Sequence, residues 1–209
     1  MDLLDKILNR KNLSKAYQQV VGNKGSAGID RMTVEDLKTH LKEHWRGIKS
    51  DILSGKYRPK PVLGVEIDKP QGGKRLLGIP TVVDRLIQQS IQQVLNEIFD
   101  PKFSPRSYGF RKGKNCHQAI KQALGYVNSG SRYVVDIDLS KFFDRVNHDY
   151  LMSLLAKDIQ DKELLRLIRR YLQSGIMLGG VTSKRTEGTP QGSPIAPHML
   201  KVTFSLSVL

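Results

Sequence analysis

The stretch Tyr133-Val134-Val135-Asp136-Ile137-Asp138-Leu139-Ser140-Lys141-Phe142-Phe143-Asp144 decides how the rest of the chain is read. Its first half is rich in β-branched residues and predicts a strand over Arg132 to Leu139. Side chains alternate along a strand, so Asp136 and Asp138 would share one face, about 7 Å apart, with Val135 and Ile137 turned into a core. A strand that ends by presenting carboxylates suits a hard divalent cation, because Mg²⁺ takes oxygen ligands from one or two carboxylates and from substrate phosphates. Taken alone, the pattern equally describes an exposed strand whose acids pair with nearby Lys or Arg, and that plainer reading is the commoner one. Phe143 follows Asp138 by five positions, where the chain would leave the strand. A ring there can wall a pocket for a nucleotide sugar, although a lone Phe is more often core.

Downstream lies Gly188-Thr189-Pro190-Gln191-Gly192-Ser193-Pro194-Ile195-Ala196-Pro197. Two glycines and three prolines predict a shaped loop, with Ser193 and Pro194 able to open a helix as cap and first residue. Gly192, lacking a side chain, would let this loop approach a base or a template backbone closely. Before it, Ile176 to Val181 and the stretch ahead of Gly188 read as a second hairpin. Upstream, Val62 to Asp68 and Arg75 to Ile79 flank Pro70-Gln71-Gly72-Gly73, which predicts a hairpin with Lys69, Lys74 and Arg75 near its tip.

Helical periodicity is the commonest signal. Leu37, Leu41, Trp45, Ile48 and Ile52 recur at three and four, behind Thr33 and Asp36 as a capping pair. Thr81 and Asp84 open a run with Leu86, Ile87, Val94, Leu95 and Ile98 on its apolar face. Ala119, Ile120, Ala123, Leu124 and Val127 make a third run. Leu164, Leu165, Ile168, Tyr171 and Leu172 make a fourth behind Asp161. Prolines 59, 61, 101 and 105 mark joints. Units are expected at 1–60, 61–130 and 131–209.

The 34 Lys+Arg against 20 Asp+Glu give +14 over 209 residues, a balance that suits a polyanion through release of phosphate counterions. Cys116 is the only cysteine, which excludes an intrachain disulfide and a cysteine-based zinc site. No stretch approaches the roughly 20 apolar residues of a membrane helix. The expected setting is intracellular and cytoplasmic, with no membrane partner.

The order of the motifs gives these pieces a common meaning. A basic hairpin ending in LGIPT, then SYGFR, then YVVDIDLSKFFD, then EGTPQGSPIAP resembles the reverse transcriptases of group II introns, from about Leu13 to about Pro197. The GNKGSAGID loop near the N-terminus resembles the extension of these and of non-LTR-type enzymes. The resemblance implies an α+β right-hand polymerase fragment: helix-rich fingers with a β-hairpin, then an incomplete palm. It implies an RNA-directed DNA polymerase that uses Mg²⁺, with group II intron RNA as template, a DNA primer or target, and deoxynucleoside triphosphates. Asp138 resembles the first catalytic, metal-binding aspartate, and Phe143 resembles the steric gate against a 2′-hydroxyl. Lys69, Arg75 and Gln191 match nucleotide-binding positions, and Gly192 matches the loop beside the template–primer pair. Arg111 of SYGFR would contact template phosphate or form an internal ion pair. Asp136 stands where the family varies, Lys112 where many relatives have Pro, and Lys74 reads as a solvated neighbour. A retron-type enzyme is the nearest rival within the class, and a non-catalytic, maturase-like RNA-binding module is the alternative function.

The second aspartate motif of such polymerases, Tyr-Ala-Asp-Asp, is absent, and no acid follows Glu187. The ending from His198 to Leu209 departs from the family's polar and acidic helix and reads as a truncation or a frameshifted tail. This polypeptide alone is therefore expected to have negligible polymerase activity, and its short palm sheet to favour self-association through an open edge.

Overall fold

The computed structural model describes residues 2–70 and 72–207, with side chains up to Phe204. In chain order the elements are α1 (Leu3–Ile7), α2 (Arg10–Gly22), α3 (Leu37–Leu53), β1 (Val62–Asp68), β2 (Lys74–Ile79) and α4 (Val82–Phe99). There follow α5 (Cys116–Asn128), α6 (Phe142–Arg145), α7 (His148–Ala156), α8 (Lys162–Gln173), β3 (Ile176–Leu178), β4 (Val181–Ser183) and α9 (Ala196–Ser207). No helix among the described residues is long and apolar enough to cross a membrane.

The periodic runs become helices where their caps said they would. The Thr81 hydroxyl accepts from the Asp84 amide at 3.2 Å and donates to the Asp84 carboxylate at 2.7 Å, starting α4. Asp36 accepts from Thr33 ahead of α3, and Asp161 accepts from the Leu164 amide at 2.9 Å to start α8. The second Asp161 oxygen takes the Leu4 amide at 2.9 Å, so one carboxylate also anchors α1. Ile87, Ile91 and Leu95 of α4 form the centre of the core with Phe99, Leu155 and Ile168.

One buried acid holds the joint between helices and sheet. Asp84 is 1% exposed and accepts from the hydroxyls of Tyr57 (2.8 Å) and Tyr171 (3.2 Å), and from the Lys60 amide (3.2 Å). Burial raises its pKa, against the lowering effect of these donors. The segment entering β1 is thereby tied to α4 and α8.

The sheet has the order β2-β1-β3-β4. β1 and β2 pair antiparallel as the turn sequence predicts, with Leu63 opposite Ile79 through Asp68 opposite Lys74. Gly72 and Gly73 have φ of +87° and +81° at the tip, while Gln71 lies outside the described residues. β3 runs parallel to β1 and turns through Gly179 and Gly180 into β4.

Three expectations change, the first being that the second hairpin closes at Gly179 and Gly180, inside the run expected as its first strand. The segment Arg132 to Leu139 has no regular secondary structure, and its apolar side chains lie open: Val135 is 81% exposed and Ile137 82%. A strand exists only through hydrogen bonds to a neighbour, and none of the described strands lies alongside this one. The β-branched sequence therefore has its propensity without its pairing. At the other end, Ser193 and Pro194 do not open the last helix, which starts at Ala196. The tail folds onto the body, burying Met199, Leu200 and Val202.

Candidate active site

Three segments that are distant in sequence are stapled together at the open end of the hairpin. Gly188 has φ of +76°, and a Cβ there would lie 2.8 Å from the Phe143 carbonyl oxygen and 2.7 Å from that of Asp144. Thr189 donates its amide to the Phe143 carbonyl at 2.7 Å, and Gly188 donates to Val146 at 2.8 Å. The buried His148 ring meets the Gly188 carbonyl at 2.7 Å. On its far side the same loop meets the hairpin: Gly78 donates to the Gln191 carbonyl at 2.7 Å, and a Cβ on Gly192 would lie 3.0 Å from the Gly78 oxygen. The close approach that Gly192 permits is thus to β2.

This clamp creates a cavity of about 900 Å³ lined by Lys69, Arg75, Asp138, Phe143 and Gln191 among others. Within it the Arg75 Nε donates to the Gln191 side-chain oxygen at 2.6 Å. Lys74 also lines it but pairs with Glu66 at 2.6 Å, which raises the lysine pKa. Asp138 reaches the cavity from the irregular segment rather than from a strand. Asp136 is not among the lining residues.

Arg111 is the site residue whose placement departs furthest from a template contact. Its guanidinium grips Asp100 through Nε (2.8 Å) and Nη2 (3.0 Å) and donates to the Ser104 carbonyl at 2.7 Å, leaving the side chain 9% exposed. The pair holds the Asp100 carboxyl below its usual range. Of the two roles open to it in the sequence, the internal ion pair is the one observed, and it braces the 104–111 turn.

The sequence reading passed over several residues of this wall. Lys201 and Phe204 come from the tail, Phe110 stands 76% exposed with φ of +50°, and Asp144 follows Phe143. Lys201 bonds to the Gly109 carbonyl and sits 5.5 Å from the Phe103 ring centroid, so the tail helix and the SYGFR turn support each other. A strained aromatic beside an arginine in a short motif was the available signal for Phe110. Nothing in the tail's composition pointed to Lys201.

A family model described as reverse transcriptase (RNA-dependent DNA polymerase) matches residues 67–205. The chain belongs to the reverse transcriptase family. Among its relatives, this reverse transcriptase is 33% identical over 190 residues to the group II intron-encoded protein LtrA of Lactococcus lactis subsp. cremoris, covering 90% of this chain and 31% of that protein. It is 32% identical over 206 residues to the putative COX1/OXI3 intron 1 protein of Saccharomyces cerevisiae, covering 98% and 24%. Against protein YkfC of Escherichia coli the figures are 31% over 209 residues, 97% and 55%. The relatives make it a reverse transcriptase of the group II intron kind, and it spans between about a quarter and about half of their lengths. A chain of a partial Cas6-RT-Cas1–Cas2 complex has the same fold, with a TM-score of 0.65, 22% identity, and coverage of 97% of this chain and 34% of that one.

Reverse transcriptases generally work with divalent metal ions. Asp138 and Asp144 are the carboxylates on the cavity wall. Among the described residues no group of three or more His, Cys, Asp or Glu side chains could hold an ion. The described residues therefore do not supply a full ligand set.

Proposed function

We propose that this chain forms the fingers and part of the palm of an RNA-directed DNA polymerase, and that its large cavity receives an incoming deoxynucleoside triphosphate. The observation that carries this reading is the meeting of Lys69, Arg75, Asp138, Phe143 and Gln191, from three separate sequence motifs, on one cavity. Lys69 and Arg75 offset triphosphate charge, one as a mobile ammonium and the other as a fixed fork. Gln191 is oriented by Arg75. Phe143 disfavours a 2′-hydroxyl, and Asp138 offers one carboxylate toward Mg²⁺. Gly192 and the turn braced by Arg111 border the template–primer pair, Arg111 by positioning rather than by direct contact. The partners are an RNA template of the group II intron class and a DNA primer. The +14 charge and the single cysteine support work on nucleic acid in the cytoplasm. Residues 1–60 serve as N-terminal extension and first fingers helices, 61–130 as fingers with the basic hairpin, and 131–209 as partial palm.

The test is primer extension on an RNA template by a complete reverse transcriptase carrying this segment. Asp138→Ala should lower extension by at least about a hundred-fold, the scale of losing a principal electrostatic group, with RNA affinity nearly unchanged. Parallel loss of both makes Asp138 structural and refutes its assignment. The net charge also favours a second reading, a maturase-like RNA-binding module without catalysis. RNA binding without primer extension by the unsubstituted complete enzyme would favour that alternative, and full extension by Asp138→Ala would remove Asp138 from the active site.

A further inference from the structure

A second large concavity lies in the N-terminal helices and shares no lining residue with the nucleotide cavity. It is a groove of about 640 Å³ between one face of α2 and one face of α3, with Leu86 of α4 contributing to its floor. On α3 the lining residues are Lys38, Leu41, Lys42, Trp45 and Lys49, a stripe along three turns spanning about 16 Å. On α2 they are Arg10, Leu13, Ser14 and Tyr17. Both helices are amphipathic, yet between Leu37 and Ile52, the buried positions of α3, the intervening Leu41, Trp45 and Ile48 remain only partly covered. The groove exists because neither helix fills the other's apolar face.

Its chemistry is asymmetric. The floor is apolar, and the edge carries Arg10, Lys38, Lys42 and Lys49 with no acid among the lining residues. None of these four cations forms an ion pair among the described residues. Lys38, Lys42 and Lys49 are exposed along one wall, which suits a ligand carrying several negative charges along its length rather than a single charged head. Nucleic acid meets the charge requirement but not the floor. Base stacking needs open aromatic faces, whereas Tyr17 and Trp45 are packed against the core and interleaved with leucines. An amphipathic helix meets both, setting leucine-like side chains into the groove and acids against the rim.

We propose that the α2–α3 groove docks an acidic amphipathic helix of a partner protein, about three to four turns long. Trp45, the only tryptophan of the chain, lies in the floor and reports directly on occupancy. The experiment titrates the full chain with a synthetic peptide of roughly four turns, with Leu at i, i+3, i+4 and i+7 and Glu on the flanking faces, while Trp45 emission is followed. A scrambled peptide of identical composition and a single-stranded RNA oligonucleotide serve as comparison probes. The expected result is a saturable blue shift of Trp45 emission, with affinity at least about ten-fold weaker for the scrambled peptide. The exposed double change Lys38→Glu with Lys42→Glu should weaken binding by on the order of ten-fold or more, with thermal unfolding unchanged. Equal binding of the scrambled peptide, or binding without a blue shift, overturns the proposal. Displacement of the peptide by the RNA oligonucleotide at concentrations that saturate its own binding to Trp45 also overturns it, by assigning the groove to nucleic acid.

Discussion

Two amphipathic helices in this chain meet opposite fates. α4 buries most of its eighteen residues, including Leu86, Ile87, Ile91 and Leu95. α5 has the same kind of apolar stripe and a complete capping box, Asn115 with Gln118, yet none of its residues is buried. Ile120, Leu124 and Val127 stand 55–57% exposed, and the segment that follows, with Val135 and Ile137, is more open still. Periodicity and capping make a helix; only a partner surface makes it core. The exposed limb carries Asp138, so the acid that matters most to the proposed chemistry sits on the least supported part of the molecule.

The comparison can be broken most directly by truncation on each side. Leu95→Ala in α4 should destabilise the fold by about 2–5 kcal/mol, whereas Leu124→Ala in α5 should stay within about 0.5 kcal/mol in urea unfolding. Equal effects would mean that α5 is packed in solution. The packed side also holds a proton-linked device. The His198 ring lies 5.8 Å from both the Phe99 and Phe103 ring centroids, and burial first, then Lys201, lowers its pKa to about 4. The unfolded chain takes up this proton near pH 6.5 and the folded chain only near 4. The stability therefore holds above 6.5 and falls away between 6.5 and 4, by on the order of 3 kcal/mol. Urea midpoints at pH 7 and 4.5 should separate more for the native chain than for His198→Gln.

A smaller effect tests how the motif loops join. A Cβ on Gly28 would lie 2.8 Å from the Thr81 backbone. Gly28→Ala should cost about 1–3 kcal/mol as the GNKGSAGID loop is pushed off the start of α4, read as a lower melting temperature. A local effect belongs to α5: Asn115→Ala should remove about 1 kcal/mol of helix stability there. Amide exchange in α5 should quicken while the global unfolding midpoint stays in place; a shift of that midpoint would show α5 coupled to the core.

Much of the fold was legible before any coordinates. The first hairpin and the caps at Thr81 and Asp161 follow from interactions over a few residues, which the local sequence spells out. The candidate site was legible as a set of residues through the order of its motifs, but not as a geometry. Gly188 against Phe143, Gly192 against Gly78 and Arg111 against Asp100 join positions that no spacing rule connects. Lys201 entered the cavity wall because the last helix buries its apolar face.

The sequence by itself determined four of the helical segments, the reversal between β1 and β2, and that this is a basic protein carrying reverse transcriptase motifs. Tertiary structure alone decided which apolar faces become interior, that Arg111 turns inward, and that the run from Tyr133 to Leu139 stays unpaired. Helix bonds close within a segment, so a few neighbours suffice to specify them. Strand bonds and burial need a second surface, and whether one is present cannot be written in the residues of the first.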